Sequence, residues 1–250
     1  MKIKLKHIGG SILITLSFVL GIGIISSVGM MIIKNSLEHI ALISGMAQAL
    51  YLLLVLFILK VKKIDIKNTY GIRSVPFKEH LLPIIAAFCF SAFSNIAQAV
   101  APIPQELVGG MSDDMEKNVV AFILSIFIVA PIVEEFVFRG LIMTKLRKED
   151  FPVIAIIISA ILFALIHSMA GGIITVIHAF FGGLIFALSY VKTKSLFPAI
   201  AAHIFGNIGG YAPAVTNNLS VTIQYVIAIG FLTVTIIFCA KLARKEENQL

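Results

Sequence analysis

The sequence predicts an all-α fold: a polytopic transmembrane helical bundle of about eight helices with both termini cytoplasmic. Three observations carry that reading. Of 250 residues, 59% are hydrophobic and only 13% charged, with a mean hydropathy of +1.01, and a water-soluble chain of this length needs far more polar surface. Apolar runs long enough to cross a bilayer, about 17–25 residues, recur along the chain with short links between them. Lys and Arg crowd into alternate links.

Taken in order, the spans are expected near Ser11–Ile33, Ile40–Leu59, His80–Ala101, Val119–Met143, Phe151–Ala170, Ile173–Val191, Leu196–Pro213 and Val221–Ala240. The opening MKIKLKH before an apolar run has the look of a secretory leader. That run is longer than the usual leader core of about 7–15 residues, and no small-residue cleavage site follows, so it is read as an uncleaved first helix. No segment is built like a separate soluble domain, and no repeat or low-complexity stretch occurs. Residues 1–250 are expected to form a single membrane domain. Within it, 1–118 would supply scaffold helices, 119–213 the core, and 214–250 the last helix and a basic tail.

With the N-terminus inside, 17 of the 20 basic residues fall in inside segments: Lys2, Lys4, Lys6; Lys60, Lys62, Lys63, Lys67, Arg73, Lys78; Lys145, Arg147, Lys148; Lys192, Lys194; and Lys241, Arg244, Lys245. Only Lys34 and Lys117 fall outside, and Arg139 lies within a span. This is the asymmetry that the positive-inside rule describes for eight spans. The net charge of +7 thus reflects topology and attraction to anionic lipid heads rather than a nucleic-acid footprint. Cys89 and Cys239 sit in apolar runs without the spacing of a disulfide framework or a zinc site, and are read as small apolar residues. Lys/Ile/Asn-rich usage points to a bacterial plasma membrane.

Ionisable groups inside a bilayer cost roughly 2.5–3.5 kcal/mol each on insertion scales, so each is a functional candidate. Here they are Glu134, Glu135, Arg139, His167, His178 and His203, with Asn207 as a neutral partner, all in the second half of the chain. The first three spans carry only mild polar residues such as Gln48 and Asn95, as a scaffold would. Glu135 and Arg139 stand four apart and share a helix face, so they are expected to pair. Glu134 is then left without a local partner, and adjacent carboxylates repel, which favours acid–base use. Pro131 removes a backbone donor one turn earlier, so a kink is expected near Glu134. Phe163 and His167 share a face, as do His203 and Asn207. His178 has no such companion and is read as structural or pocket-lining.

At ~1.5 Å per residue, Glu134 lies ~16 Å from Lys145, His203 ~14 Å from Lys194 and His167 ~24 Å from Phe151. Three residues distant in sequence thus reach a similar depth, with helix tilt taking up the remainder.

These patterns resemble the CPBP family of CAAX proteases and bacteriocin-processing enzymes, also called the Abi family. Its marks are Glu-Glu-x-x-x-Arg, Phe-x-x-x-His and His-x-x-x-Asn on successive core helices. Here they read Glu134-Glu135…Arg139, Phe163…His167 and His203…Asn207, and LSYVKTKSLFPAIAAH resembles the family's approach to the third motif. The resemblance covers about Val119 to Asn207. It implies an intramembrane peptidase that hydrolyses a peptide bond with a glutamate-activated water, in a cavity open toward the cytoplasm. Glu134 would be the general base and His167 would help hold the water. His203 and Asn207 would stabilise the oxyanion, while Glu135, Arg139 and Phe163 support them. No cofactor is expected. The alternative is a divalent metal such as zinc on Glu134, His167 and His203, a His₂Glu set with an open position. The expected partners are membrane lipid and a peptide or membrane-protein substrate.

Two other classes of function fit intramembrane polar residues. One is a non-catalytic bacteriocin-immunity or regulatory protein of the same family. The other is a proton-coupled transporter, although transporter folds show related halves and here the polar residues crowd into one half.

Overall fold

A backbone in hydrocarbon must satisfy its own hydrogen bonds, and a chain this apolar answers with helices. The computed structural model describes residues 5–101, 103–104, 107, 118–146, 152–169 and 171–243. Its main helices are α1 (Leu5–Ile32), α2 (Ile40–Val61), α3 (Lys78–Val100), α4 (Val119–Leu146), α5 (Pro152–His167), α6 (Ile173–Thr193), α7 (Leu196–Gly209) and α8 (Val221–Ala243). The result is a polytopic helical bundle, with no strand among the described residues.

Six of these helices have the length and composition to cross a membrane; α5 and α7 do not. With 16 and 14 residues, they are ~24 and ~21 Å long at 1.5 Å per residue, short of the ~30 Å hydrocarbon core. The expected continuation of α7 to Pro213 stops at Gly209, where Gly210 and Tyr211 turn the chain into the short helix Ala212–Thr216. The expected fifth span, Phe151–Ala170, begins and ends on residues outside the described set. Helices too short to span are tolerated where protein surrounds them. Both are packed that way: α5 lies on α6 and α4, and α7 on α3, α4 and α6.

The centre of the bundle is α4, which touches α1, α2, α5 and α7. Phe138, Arg139, Ile142, Met143 and Leu146 are fully buried. Pro131 perturbs this helix, but by a change of hydrogen-bond register. Over Leu124–Val129 and again over Phe136–Met143 the turns widen to π-helical spacing, and the Ala130 N–H donates to Ser125, five residues back. Local π-helical turns are common at functional sites.

One end of the bundle collects most of the described basic residues. Lys145 lies against Gly10 at the start of α1, and the Lys192 ammonium donates to the Lys241 carbonyl at the end of α8, at 3.1 Å. The α2–α3 link carries Lys62, Lys63, Lys67 and Arg73 and docks at the same end. Arg73 donates to the carbonyls of Thr193 and Lys194 at 2.6 and 3.0 Å, and Leu196 N–H donates to Gly71. Gly71 adopts φ +70°, and a Cβ there would stand 2.8 Å from the Lys194 carbonyl oxygen, so this position needs glycine. Lys34 sits at the other end, between α1 and α2. Lys2, Lys4, Lys117, Arg147, Lys148, Arg244 and Lys245 lie outside the described residues.

Candidate active site

Residues Glu134 and Glu135 occupy the stretch of α4 between its two π-helical segments. Their adjacency sends the two carboxylates in different directions, and the packing separates their roles. Glu135 points into the core, fully buried beside Arg139, also fully buried, and accepts from its guanidinium at 2.8 Å. The expected i,i+4 pair is therefore formed. Arg139 also donates to the Gly183 carbonyl on α6 at 2.8 Å, and its guanidinium carbon lies 4.8 Å from the centre of the Phe163 ring and 5.4 Å from that of Phe186. A charge in this setting is tolerable because it is paired, hydrogen-bonded and faced by aromatic rings.

The same Oε1 of Glu135 accepts a second bond from His203 Nδ1, at 3.0 Å. An ionised carboxylate only accepts, so the Nδ1 proton resides on the histidine. His203 Nε2 then faces Glu134, 3.9 Å from Oε2. The ring is clamped by Phe186, stacked at 4.6 Å and 17°, and by Phe163, edge-on at 5.6 Å. Glu134 itself is 13% exposed, and its Oε2 is buried with no hydrogen-bond partner among the described residues. Glu135 Oε2 is unpartnered too, but Glu135 is fully buried and bonded through Oε1; partial exposure together with the want of any hydrogen bond among the described residues singles out Glu134 as the candidate reactive group.

His167 closes α5. Its Nδ1 hydrogen-bonds the Phe163 carbonyl at 2.8 Å, and a carbonyl requires that nitrogen to donate. Nε2 is therefore the unprotonated nitrogen of the neutral ring. Phe163 lies under His167, ring centres 4.6 Å apart, and joins it to His203 and Arg139. Asn207 stands one turn beyond His203, and its amide nitrogen donates to the Ile126 carbonyl on α4 at 2.8 Å.

The structure thus brings Glu134, Glu135, Arg139, Phe163 and His203 together, links His167 through Phe163, and attaches Asn207 to the neighbouring turn of α4. His178 lies within electrostatic range of His167 but bonds elsewhere, with Nδ1 2.9 Å from Ser94 Oγ and Nε2 3.3 Å from Ser91 Oγ and Phe90 against its ring. That placement fits a structural role. Several participants had no signal in the sequence. Phe186 is one of 19 phenylalanines, Gly183 contributes only its backbone, and Ser91 and Ser94 lie on a helix assigned to the scaffold.

Among the described residues, no group of three or more His, Cys, Asp or Glu is arranged to hold a metal ion. His203 has Nδ1 bonded to Glu135, and His167 is joined to the others through the Phe163 ring. Toward the basic end of the bundle, α4 runs through Phe138, Ile142, Met143 and Leu146, all fully buried.

Comparison with known proteins meets this geometry on the same segment. Residues 116–209 match the family of type II CAAX prenyl endopeptidases, Rce1-like. Over 141 residues the chain is 30% identical to the membrane-embedded CAAX protease MroQ of Staphylococcus aureus (strain USA300), a match that takes in 52% of this chain and 57% of MroQ. The match therefore spans little more than half of that relative's length. No solved structure matches the chain. The chain is thus a multi-pass helical membrane protein whose segment from α4 to α7, the one that carries all three motifs, is similar to the CAAX-protease family.

Proposed function

We propose that this protein is an intramembrane endopeptidase in which Glu134 activates water for attack on a peptide bond. The observation that carries the reading is the division of labour between two adjacent carboxylates. Glu135, fully buried, is committed through Oε1 to Arg139 and His203, whereas Glu134 is partly exposed, accepts no hydrogen bond among the described residues and faces His203 Nε2. In the reaction, Glu134 takes a proton from water and the resulting hydroxide adds to the carbonyl carbon. His167, with Nδ1 committed to the Phe163 carbonyl, accepts through Nε2 and orients that water.

Addition places negative charge on the former carbonyl oxygen. His203 Nε2–H and an Asn207 amide N–H are the donors for it, preorganised in a water-poor interior. For this role Nδ1–H of His203 serves Glu135 and Nε2–H serves the oxyanion. Collapse of the intermediate breaks the C–N bond as Glu134 returns its proton to the leaving amine. The substrate is a peptide or membrane-protein chain reached within the lipid, and the setting is a bacterial plasma membrane. No step uses a metal.

A peptide-cleavage assay on purified protein, with and without chelator and beside Glu134→Gln, tests this. Cleavage by the wild type that survives chelation and vanishes in the variant is the expected result. Loss on chelation would overturn the metal-free mechanism. Absence of cleavage, with Glu134→Gln still supporting the cellular phenotype, would favour a non-catalytic immunity or regulatory role.

A further inference from the structure

We infer that Pro131 is a positioning residue of the site: by withholding one backbone N–H inside α4, it leaves the Ile126 carbonyl to Asn207 and so fixes the Asn207 amide. The inference deepens the peptidase reading, because it says what holds one of the two oxyanion donors.

The argument starts from hydrogen-bond register. Just before the site, α4 pairs each N–H with the carbonyl five residues back, as Ala130 N–H does with Ser125. One residue on, the same register assigns the Ile126 carbonyl to residue 131. That residue is proline, which has no N–H to give. The Ile126 carbonyl instead receives the side-chain amide of Asn207, 81 residues away on α7, at 2.8 Å. Two sequence features that look independent, a proline in one motif helix and an asparagine in another, are thus the two halves of one contact.

The contact also settles which way the amide faces. A carbonyl accepts, so the atom toward Ile126 is Nδ2 and not Oδ1. One of the two Asn207 amide hydrogens is taken by the backbone, and only the other is available to substrate. Because Ile126 belongs to the helix that carries Glu134, donor and base are referenced to the same element. An amide pinned by its own first hydrogen bond loses little freedom when it makes the second, which is the condition for effective transition-state stabilisation.

The test is a double-mutant cycle of Pro131→Ala and Asn207→Ala with two readouts: thermal unfolding of the detergent-purified protein, and kcat and KM in the cleavage assay. Alone, Asn207→Ala strands the Ile126 carbonyl and should lower Tm by a few degrees. In the Pro131→Ala background the restored N–H takes that carbonyl, so Asn207→Ala should lower Tm by less than half as much. Pro131→Ala alone should lower kcat about tenfold with KM unchanged, since competition for Ile126 loosens the amide. An equal drop in Tm in both backgrounds, or wild-type kcat in Pro131→Ala, would overturn the proposal. Should Asn207→Ala fail to accumulate in membranes, accumulation becomes the readout: recovery in the double variant supports the pairing, and continued loss overturns it. If no variant cleaves peptide but the Tm coupling holds, the peptidase reading fails while the pairing stands.

Discussion

Glu135 shows how one residue can make another reactive without taking part in the chemistry. A single oxygen of its carboxylate accepts from both Arg139 and His203, so it neutralises one cation and sets the tautomer of an imidazole. Arg139→Ala would leave this carboxylate unpaired in the core, a change that typically costs about 3–5 kcal/mol. Arg139→Lys keeps the charge but cannot reproduce the planar fork that reaches Glu135 and Gly183 together. Folded yield and thermal stability should therefore fall in the order wild type, Lys, Ala; equal values for all three would show that the pair is solvated. At Asn207, replacement by Ala should reduce the rate of cleavage by roughly 10²–10³, the usual effect of losing one oxyanion donor. His178→Ala makes a contrast. It deprives Ser91 and Ser94 of a partner, worth about 1 kcal/mol each, and should leave most activity intact, measured in the same assay.

At the level of elements, the two helices too short to span are the ones that carry His167, His203 and Asn207. They are held in place by neighbours, and α7 meets α3 at very short range. A Cβ on Gly209 would collide with the Phe88 backbone carbonyl. Gly209→Ala should therefore push α7 away from α3, costing about 1–3 kcal/mol and shifting His203 relative to Glu134. A variant with wild-type Tm and wild-type cleavage would show that the helices are free to part. The helices themselves were legible in the sequence because lipid enforces long apolar runs, and Glu135–Arg139 was legible because i,i+4 spacing is local. The bond from Glu135 to His203 was not. It depends on how α7 lies against α4, which no spacing within either helix encodes. The widened turns of α4 were equally hidden, since Pro131 announces a missing donor but not whether the helix responds by bending or by changing register.

For the whole molecule, the basic residues and the packing agree on one polarity. The ends of α4, α6 and α8, the start of α1 and the α2–α3 link gather at one end and carry lysine after lysine, while Lys34 is at the other. Reporter fusions at Lys63 and Leu250 should read cytoplasmic and one at Asp113 external; Asp113 and Leu250 lie outside the described residues. An external C-terminus would overturn a topology with both ends on the cytoplasmic side. This arrangement puts the four motif residues inside the bundle and leaves Glu134 as the partly exposed carboxylate of the adjacent pair, free of the bonds that hold Glu135. The most direct measurement of the central claim is cleavage of a peptide by purified Glu134→Gln beside wild type, at matched folding. The substitution keeps the shape of the side chain but removes its ability to accept the water proton. The account predicts an unchanged thermal transition with hydrolysis abolished; a Glu134→Gln variant that still cleaves at a comparable rate would contradict it.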